Sequence, residues 1–270
     1  MKKMRKNPYQ KKFIAFEGAE GGGKTTQVKM LVSRMKEAGY PVLETKEPTP
    51  DGVFGKLVRF IYTCESLHEE LPQALAECLN GREYQLLKKM MDDAQARHIA
   101  RFEQIAERIK AGDHTSLQKL LQLGMTFDRH DHRVRIEIPS LDQGMHVISD
   151  RDFPSTPAYA AADNLDWREL FQLQFEILGD QFVVPDLILF LDVPVLVGLK
   201  RTMEKQQGKK EYFDTEDRLA KIQKAYYELF DDPRIKENIR VVKIDGATIQ
   251  EIVHEEVWKQ VISVLREEHH

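Results

Sequence analysis

A glycine-rich segment is the clearest sign of chemistry in this 270-residue sequence. Residues 18–25 match the pattern G-x-x-x-x-G-K-[ST] between a short apolar run and a helical pattern, the context that a phosphate-binding loop requires. Glycines let successive backbone N–H groups turn towards phosphate oxygens, because no Cβ obstructs them. The glycines of the segment are Gly18, Gly21, Gly22 and Gly23. Lys24 can reach the β- and γ-phosphates of a nucleoside triphosphate, and the Thr25 hydroxyl can bind Mg²⁺.

A second pair of polar residues, Asp150 and Arg151, directly follows the apolar run 146–149. An aspartate at a strand end beside a phosphate loop can hold Mg²⁺ directly or through water, and an arginine can bind a phosphate in a bidentate manner. Arg59 lies in a helical pattern beyond the run 42–43, where it can face the same crevice or stay solvated.

Basic residues also surround Gly208 in a hydrophilic stretch. They are Arg201, Lys205, Lys209 and Lys210. A basic segment that closes over phosphates would exclude water and neutralise charge during a transfer reaction. We therefore expect a lid over about residues 201–213, and the alternative is an ordinary solvated helix end.

These residues need a framework that brings them together. Short apolar or β-branched runs occur at 13–16, 41–43, 146–149, 186–191 and 239–244, and helix-length sequence separates each from the next. This alternation predicts an α/β fold with a five-stranded parallel sheet flanked by helices. Ligands collect at the carboxyl ends of the strands in such sheets, so we expect the polar segments to meet at one edge.

One long stretch, residues 64–120, breaks this alternation. Its apolar residues recur at spacings of three and four, which is typical of helices. One stripe contains Leu87, Met91, Ala94, His98, Phe102, Ile105 and Ile109, and a second contains Leu67, Leu71, Leu75 and Leu79. We expect a helical insertion whose apolar faces pack on each other or on the main body, with partner binding as the alternative.

Composition argues against several classes of protein. Forty Lys and Arg against 44 Asp and Glu give a net charge of −4, which does not indicate a nucleic-acid binder. No apolar run approaches the roughly 20 residues that cross a bilayer, so we expect no membrane span.

Six positive charges within residues 1–12 predict a disordered basic arm over 1–11, and no secretory h-region follows it. Cys64 and Cys78 cannot build a disulfide framework, so we expect reduced thiols and a cytoplasmic location.

Several ordered motifs resemble those of the thymidylate kinase family of P-loop nucleoside monophosphate kinases. The matching segments are 13–27 with the phosphate loop, 45–49 (Thr-Lys-Glu-Pro-Thr, for T-R-E-P-T), 128–132 (D-R-x-x-H), 147–159 (for D-R-Y-x-x-S-x-x-A-Y) and 185–201 before the lid. Together they cover residues 12–63 and 121–262. The resemblance implies one kinase domain over 12–262, interrupted by the insertion, that moves the ATP γ-phosphate onto a nucleoside monophosphate with Mg²⁺, usually as a homodimer.

The resemblance also implies roles for individual residues. Lys24, Arg151 and Lys205 are the expected catalytic residues, and Thr25 and Asp150 the expected Mg²⁺ ligands. The expected ligands of the ATP phosphates are Gly18, Glu20, Gly21, Gly22, Gly23, Lys24, Thr25 and Thr26. The expected ligands of the acceptor are Glu20, Arg59, Met125, Arg129, Arg151, Thr156 and Tyr159. Phosphates would repel the Glu20 carboxylate, so a sugar hydroxyl explains that residue better.

Departures from the family pattern fall mainly in the acceptor pocket. Asp152 stands where the family has an aromatic residue, and Met125 stands where a base-stacking phenylalanine is expected, with Phe127 two residues on. Residues 160–161 are Ala-Ala instead of Gln-Gly, and the lid offers Lys205 in place of an arginine, without its planar fork. The predicted acceptor is a pyrimidine deoxynucleoside monophosphate, with dTMP as the first choice.

Three alternatives remain open. The chain can phosphorylate a different nucleotide or an unphosphorylated nucleoside, although the expected phosphate-side arginines argue against a nucleoside. It can also be a non-catalytic nucleotide-binding regulatory module whose insertion is the working surface. A metal site at residues 130–132 (His-Asp-His) is disfavoured, because neighbours this close on a helix point to different faces. We expect those three side chains to be solvated.

Overall fold

A five-stranded parallel sheet lies at the centre of the computed structural model, which describes residues 4–64, 66–205 and 215–267. The strands are β1 (Phe13–Glu17), β2 (Val42–Lys46), β3 (His146–Asp150), β4 (Leu187–Asp192) and β5 (Arg240–Asp245), in the spatial order β2-β3-β1-β4-β5. Phe16 pairs with Asp150 on one side and with Leu189 on the other, so the carboxyl ends of the central strands meet at one edge. The predicted α/β fold with five parallel strands is confirmed.

Helices cover both faces of the sheet. The first face carries α1 (Lys24–Glu37) and α13 (Gln250–Leu265), and the second carries α8 (Ser155–Ala162), α9 (Trp167–Leu178) and α11 (Glu216–Phe230). Side chains alternate along β1, so Ile14 and Phe16 pack towards α1 and α13, while Ala15 packs beside Phe171 of α9. Among the described residues, no helix has the length and apolar character needed to cross a membrane.

The remaining helices lie around this core. They are α2 (Val53–Thr63), α3 (Leu67–Asn80), α4 (Arg82–Met90), α5 (Asp93–Lys110), α6 (Leu117–His132), α7 (Ile138–Asp142), α10 (Val195–Lys205) and α12 (Pro233–Lys236). Between residues 66 and 120 the chain forms α3, α4, α5 and the start of α6. Apolar side chains of this stretch, such as Leu71, Phe102 and Ile109, share one core with Phe54 of α2 and Phe127 of α6.

The stripe predicted from Leu87 to Ile109 is divided between two helices. Asp92 precedes α5 and forms a capping box with Gln95. The backbone N–H of Gln95 donates to the Asp92 carboxylate at 2.8 Å, and the backbone N–H of Asp92 donates to Gln95 Oε1 at 3.0 Å. The helical pattern therefore restarts at this point. Phe102 and Ile109 of the stripe are fully buried, whereas Leu87 in α4 is only partly buried.

The predicted disordered arm is wrong for residues 4–11. Met4 is buried with Trp167 and Phe182, and Arg5 forms a parallel backbone bridge with Val183. Asn7 adds side-chain hydrogen bonds to the Lys11 carbonyl and to Asp186, both 2.7 Å long. One apolar residue and one amide among the lysines are enough to hold the segment against the body. Residues 1–3 of the predicted arm lie outside the described part of the chain.

Candidate active site

The phosphate loop connects β1 to α1 at the carboxyl edge of the sheet. Gly18 and Gly21 have φ values of 142° and 71°, a region that L side chains rarely adopt. A Cβ on Gly18 would lie 2.6 Å from the Leu191 carbonyl oxygen, and one on Gly21 would lie 2.0 Å from the Gly198 carbonyl oxygen. The α1 helix begins at Lys24 without a side-chain cap, so its first N–H groups are available to an anion.

Lys24 lies folded against this loop. Its ammonium group donates hydrogen bonds to the carbonyl oxygens of Gly18 at 2.9 Å and of Ala19 at 2.8 Å. Burial, followed by the positive charge of Arg151, lowers the pKa of Lys24 to about 8. A nearby phosphate would favour the charged form, so the ammonium group is suited to exchange the loop carbonyls for phosphate oxygens.

Thr25 and Asp150, the two predicted metal ligands, lie next to each other. The Thr25 hydroxyl donates to Asp150 Oδ2 at 2.5 Å, because β3 ends beside the start of α1. Mg²⁺ prefers oxygen ligands and is commonly held by one or two protein groups together with substrate phosphates. A hydroxyl and a carboxylate beside a phosphate loop fit this ion.

Arg151 is the first residue after β3 and has a φ of 82°, a strained backbone conformation for a side chain other than glycine. Its guanidinium group forms an ion pair with Glu20 and donates to the Tyr159 hydroxyl at 2.8 Å and to Ser155 Oγ at 3.2 Å. Burial raises the pKa of the Tyr159 hydroxyl well above its usual range. That hydroxyl therefore remains a neutral donor, and it donates to Glu20 at 2.9 Å.

A cavity of about 130 Å³ opens beside these three residues, and we call it the Arg151 cavity. Five of the predicted acceptor ligands line it, namely Glu20, Met125, Arg151, Thr156 and Tyr159. The other described lining residues are Pro48, Tyr62, Gln122, Ser155 and Arg218, none of which is among the predicted site residues. The phosphate loop and the cavity share Glu20, so the two regions are contiguous.

The structure places Met125 and Phe127 in different surroundings. Met125 lines the Arg151 cavity, while Phe127 is fully buried and stacks on Phe54 with ring centroids 5.2 Å apart. Residues two positions apart on a helix point in different directions, so only one of them can face the cavity. Of these two side chains, Met125 is the one that lines the cavity.

Arg129 lies behind the cavity wall rather than in it. Its side chain is completely buried, and its guanidinium group donates to Glu47, Thr156, Gln174 and the Asp152 carbonyl oxygen. These bonds use all five N–H groups of the guanidinium. Arg129 thus positions the Thr156 hydroxyl, and its predicted role as an acceptor ligand stays a prediction.

Arg59 contacts the segment between β2 and α2, and its predicted role as an acceptor ligand stays a prediction. Its Nη2 donates to the Pro48 carbonyl oxygen at 2.8 Å, and the described lining of the Arg151 cavity does not include it. Pro48 does line the cavity, so Arg59 supports the segment that carries part of the wall. Arg201 likewise donates to the Gly246 carbonyl oxygen at 2.8 Å, which ties α10 to the turn after β5.

Fully buried charges surround Arg129, and we call this group the buried ion network. Its members are Glu47, Arg129, Arg133, Glu137 and Asp152. Asp152 accepts a hydrogen bond of 2.6 Å from Arg133 and lies 3.6 Å from Arg129 Nε. An aromatic residue at position 152, as in the family pattern, would remove this negative charge. The departure from that pattern thus has a physical reason, since Asp152 compensates two buried arginines.

Glu17, at the end of β1, is a site residue that is absent from the predicted set. Its buried carboxylate accepts hydrogen bonds from the Asp152 N–H at 2.7 Å, from Ser155 Oγ at 2.8 Å and from the Tyr226 hydroxyl at 2.7 Å. Burial raises the pKa of Glu17 to about 7. An acidic residue that ends an otherwise apolar strand was the sequence signal for it.

The three residues of the disfavoured metal site are not solvated, contrary to the prediction. His132 is buried between Thr45 and Thr49, with hydrogen bonds of 2.7 and 2.9 Å, and burial lowers its pKa to about 4. His130 contacts Gln95 at 2.9 Å, and Asp131 pairs with Arg135. The triplet therefore serves the packing of α6.

The predicted lid over 201–213 lies largely outside the described residues. The α10 helix ends at Lys205, and the Lys205 side chain, Lys209 and Lys210 belong to the part of the chain that is not described. Cys64 is partly buried and Cys78 is buried.

Comparison with known proteins adds independent information. The protein-family model described as thymidylate kinase matches residues 16–78 and 70–257. A thymidylate kinase of Bradyrhizobium sp. (strain ORS 278) is 28% identical over 96% of this chain and 92% of its own length. A probable thymidylate kinase of Thermococcus kodakarensis is 30% identical over 95% of this chain and 100% of its own length. A probable thymidylate kinase of Thermococcus onnurineus is 33% identical over 80% of this chain and 80% of its own length.

Proposed function

Because the chain belongs to the thymidylate kinase family, we propose that it transfers the γ-phosphate of ATP to dTMP and forms dTDP. The chain is accordingly an ATP-dependent phosphotransferase. The observation that carries the choice of acceptor site is the contact of Glu20 with Arg151 and Tyr159, which joins the phosphate loop to the Arg151 cavity. A donor phosphate on the loop and an anionic acceptor in the cavity would lie on the two sides of this contact.

On the donor side, the loop N–H groups and the Lys24 ammonium bind the phosphate chain of ATP. To bind phosphate, the Lys24 ammonium group has to leave the carbonyl oxygens of Gly18 and Ala19. The phosphate oxygens of a triphosphate would replace these carbonyls as its hydrogen-bond partners. Thr25 and Asp150 would hold Mg²⁺, which when bound withdraws negative charge from the phosphate oxygens. Thr26 belongs to the first turn of α1, whose free N–H groups face the same anion.

On the acceptor side, Arg151 binds the monophosphate. Its guanidinium group is held within reach of the phosphate loop by the strained backbone at Arg151 and by Ser155. Phosphoryl transfer needs little covalent chemistry from the protein, so the alignment of two anions and the neutralisation of their charge account for most of the catalysis. An acceptor phosphate would replace Glu20 as the ion-pair partner of Arg151. The Glu20 carboxylate would then accept a hydrogen bond from a sugar hydroxyl.

The experiment is ADP release measured with a panel of acceptors, namely dTMP, dUMP, dCMP and thymidine, with Mg²⁺ and ATP. We expect dTMP to give the highest kcat/KM and thymidine to give no turnover, because Arg151 requires an anionic acceptor. A wild-type protein that releases no ADP with any pyrimidine monophosphate would contradict the proposal and would favour a non-catalytic nucleotide-binding module.

The proposal includes the wider organisation that the family implies. Residues 12–262 form one kinase domain, 64–120 form a helical insertion, and Lys205 in a lid over about 201–213 joins Lys24 on the ATP phosphates. The active form is a homodimer in the cytoplasm, where its nucleotide substrates occur. Sedimentation equilibrium of the full chain tests the dimer, and limited proteolysis with and without ATP analogues tests the lid.

A further inference from the structure

Gln122 is a buried glutamine in the lining of the Arg151 cavity, and its side-chain amide lacks partners in the described part of the chain. The residue is 1% exposed, and neither Oε1 nor Nε2 has a hydrogen-bond partner among the described residues. Leaving a buried donor or acceptor unsatisfied costs about 1–3 kcal/mol, so such a group in a fold requires an explanation. The position of Gln122 beside the cavity suggests that the explanation is a ligand.

Gln122 differs from the three other buried glutamines: Gln27 has one amide atom bonded, with Nε2 donating to the Gln250 carbonyl oxygen at 2.9 Å, and two have both bonded. Gln174 accepts a hydrogen bond from Arg129 at 2.7 Å and donates to the Phe153 carbonyl oxygen at 3.1 Å. Gln95 accepts from the Asp92 N–H at 3.0 Å and donates to the Ile177 carbonyl oxygen at 2.6 Å. The fold therefore satisfies both amide atoms of these two residues and neither amide atom of Gln122.

Other groups of the cavity define what would complete the amide. Gln122 and Met125 are three residues apart on α6 and so share one helix face, which gives this wall one apolar surface and one amide. Thr156 also lines the cavity, and its Oγ1 accepts a hydrogen bond of 2.8 Å from Arg129, so its own proton is left as a donor. The wall thus combines an amide donor, an amide acceptor and a hydroxyl donor with an apolar contact.

We propose that Gln122 reads the base of the acceptor nucleotide, with Oε1 accepting from N3–H and Nε2 donating to O4 of a thymine or uracil ring. This inference rests on the proposed function, because it assigns the base to the Arg151 cavity. An amide rotated by 180° would also fit the edge of cytosine, and Thr156 resolves this ambiguity. Its hydroxyl proton is assigned to position 4 of the ring, where O4 of thymine or uracil can accept it and the amino group of cytosine cannot.

The test compares wild type with Gln122→Met, which keeps the length of the side chain and removes the amide. The substrates are dTMP and its N3-methyl derivative, which lacks the N3 proton, and the readout is kcat/KM from ADP release. A site built to bond an N–H group rejects an analogue without it, so we expect wild type to prefer dTMP by about 10- to 100-fold or more. In Gln122→Met we expect this preference to fall to within about threefold, through a raised KM for dTMP with the KM for ATP unchanged.

Gln95→Met is the matched control, since it removes a satisfied buried amide outside the cavity. It should lower the melting temperature and leave the preference for dTMP as in wild type. Gln122→Met should keep or raise the melting temperature, because no existing hydrogen bond is lost. A Gln122→Met protein that unfolds, or that retains the wild-type preference, overturns the inference while dTMP kinase activity stands. A wild-type protein inactive with every pyrimidine monophosphate overturns the proposed function itself, and the assignment of Gln122 with it.

Discussion

The phosphate loop and the wall of the Arg151 cavity lie side by side, yet they are built in different ways. The loop consists of eight consecutive residues. Its shape follows from positive φ values at glycines and from hydrogen bonds between the Lys24 ammonium group and carbonyl oxygens of the loop. The cavity wall is assembled from separate elements that include α2, α6, α8 and α11, and the buried ion network lies behind it. The loop is thus a local property of the chain, whereas the wall depends on charges that meet only after folding.

This difference predicts that substitutions behind the wall act first on stability, while substitutions in the loop act on turnover. The largest effect should follow from Arg129→Met, which leaves Glu47 and Asp152 buried with one guanidinium group fewer. Removing one partner of a buried ion pair costs about 3–5 kcal/mol, and we expect that loss in the free energy of unfolding by urea denaturation. Arg135→Met is the control, because the Arg135 side chain is 46% exposed and its pair with Asp131 should contribute less than about 1 kcal/mol. Equal losses in the two variants would show that the network does not hold the wall.

The variant Lys24→Met tests the role of the phosphate loop in turnover. Loss of a cation that stabilises charge developing in the transition state should lower kcat by about 10²- to 10³-fold. The melting temperature should fall much less than in Arg129→Met, because removal of an unfavourably buried charge offsets the loss of its two hydrogen bonds. Lys29→Met, an exposed lysine on the same helix, should leave both quantities as in wild type. A stability loss comparable to that of Arg129→Met would contradict the contrast between the two regions.

Glu17 lies where the two regions meet, and it predicts a pH dependence. Its pKa of about 7 in the fold exceeds the ordinary value of 4.5, so between these two values the native state retains a proton that the unfolded state has lost. The stability that Glu17 contributes is therefore present below about pH 4.5 and is lost as the pH rises to about 7. Relative to Glu17→Gln, which stays neutral, wild type should lose about 2 kcal/mol between pH 5 and pH 7.5. Denaturation curves at several pH values measure this difference, and Glu37→Gln, at an exposed position of α1, should run parallel to wild type.

The smallest effect is expected for Arg59→Met, because within the described residues Arg59 hydrogen-bonds to the cavity wall only at Pro48. If Arg59 acts only through the Pro48 carbonyl oxygen, losing one hydrogen bond should raise the KM for the acceptor by less than about tenfold. An increase of about 100-fold or more, with the KM for ATP unchanged, would instead show that Arg59 turns onto the acceptor phosphate in the complex.

Sequence reasoning succeeded where neighbouring residues decide the structure. The strands were predictable from short apolar or β-branched runs, and those of the three central strands are buried on both faces. The phosphate loop was predictable because glycine spacing determines its backbone. The same reasoning failed for the N-terminal arm, where Met4 and Asn7 find partners far along the chain. It also treated residues 87–109 as one helix, since the apolar period continues across the capping box at Asp92.

By itself, the sequence determined the sheet, the phosphate loop and the approach of Asp150 and Arg151 to that loop, because each is encoded by contiguous residues and by the common direction of parallel strands. Only the tertiary structure decided which side chains face the Arg151 cavity. It removed Arg129 and Phe127 from the lining and placed Gln122 and Met125 there. The physical reason is that the orientation of α6 depends on buried charges and apolar contacts with α2 and α5, whose partners are distant in sequence.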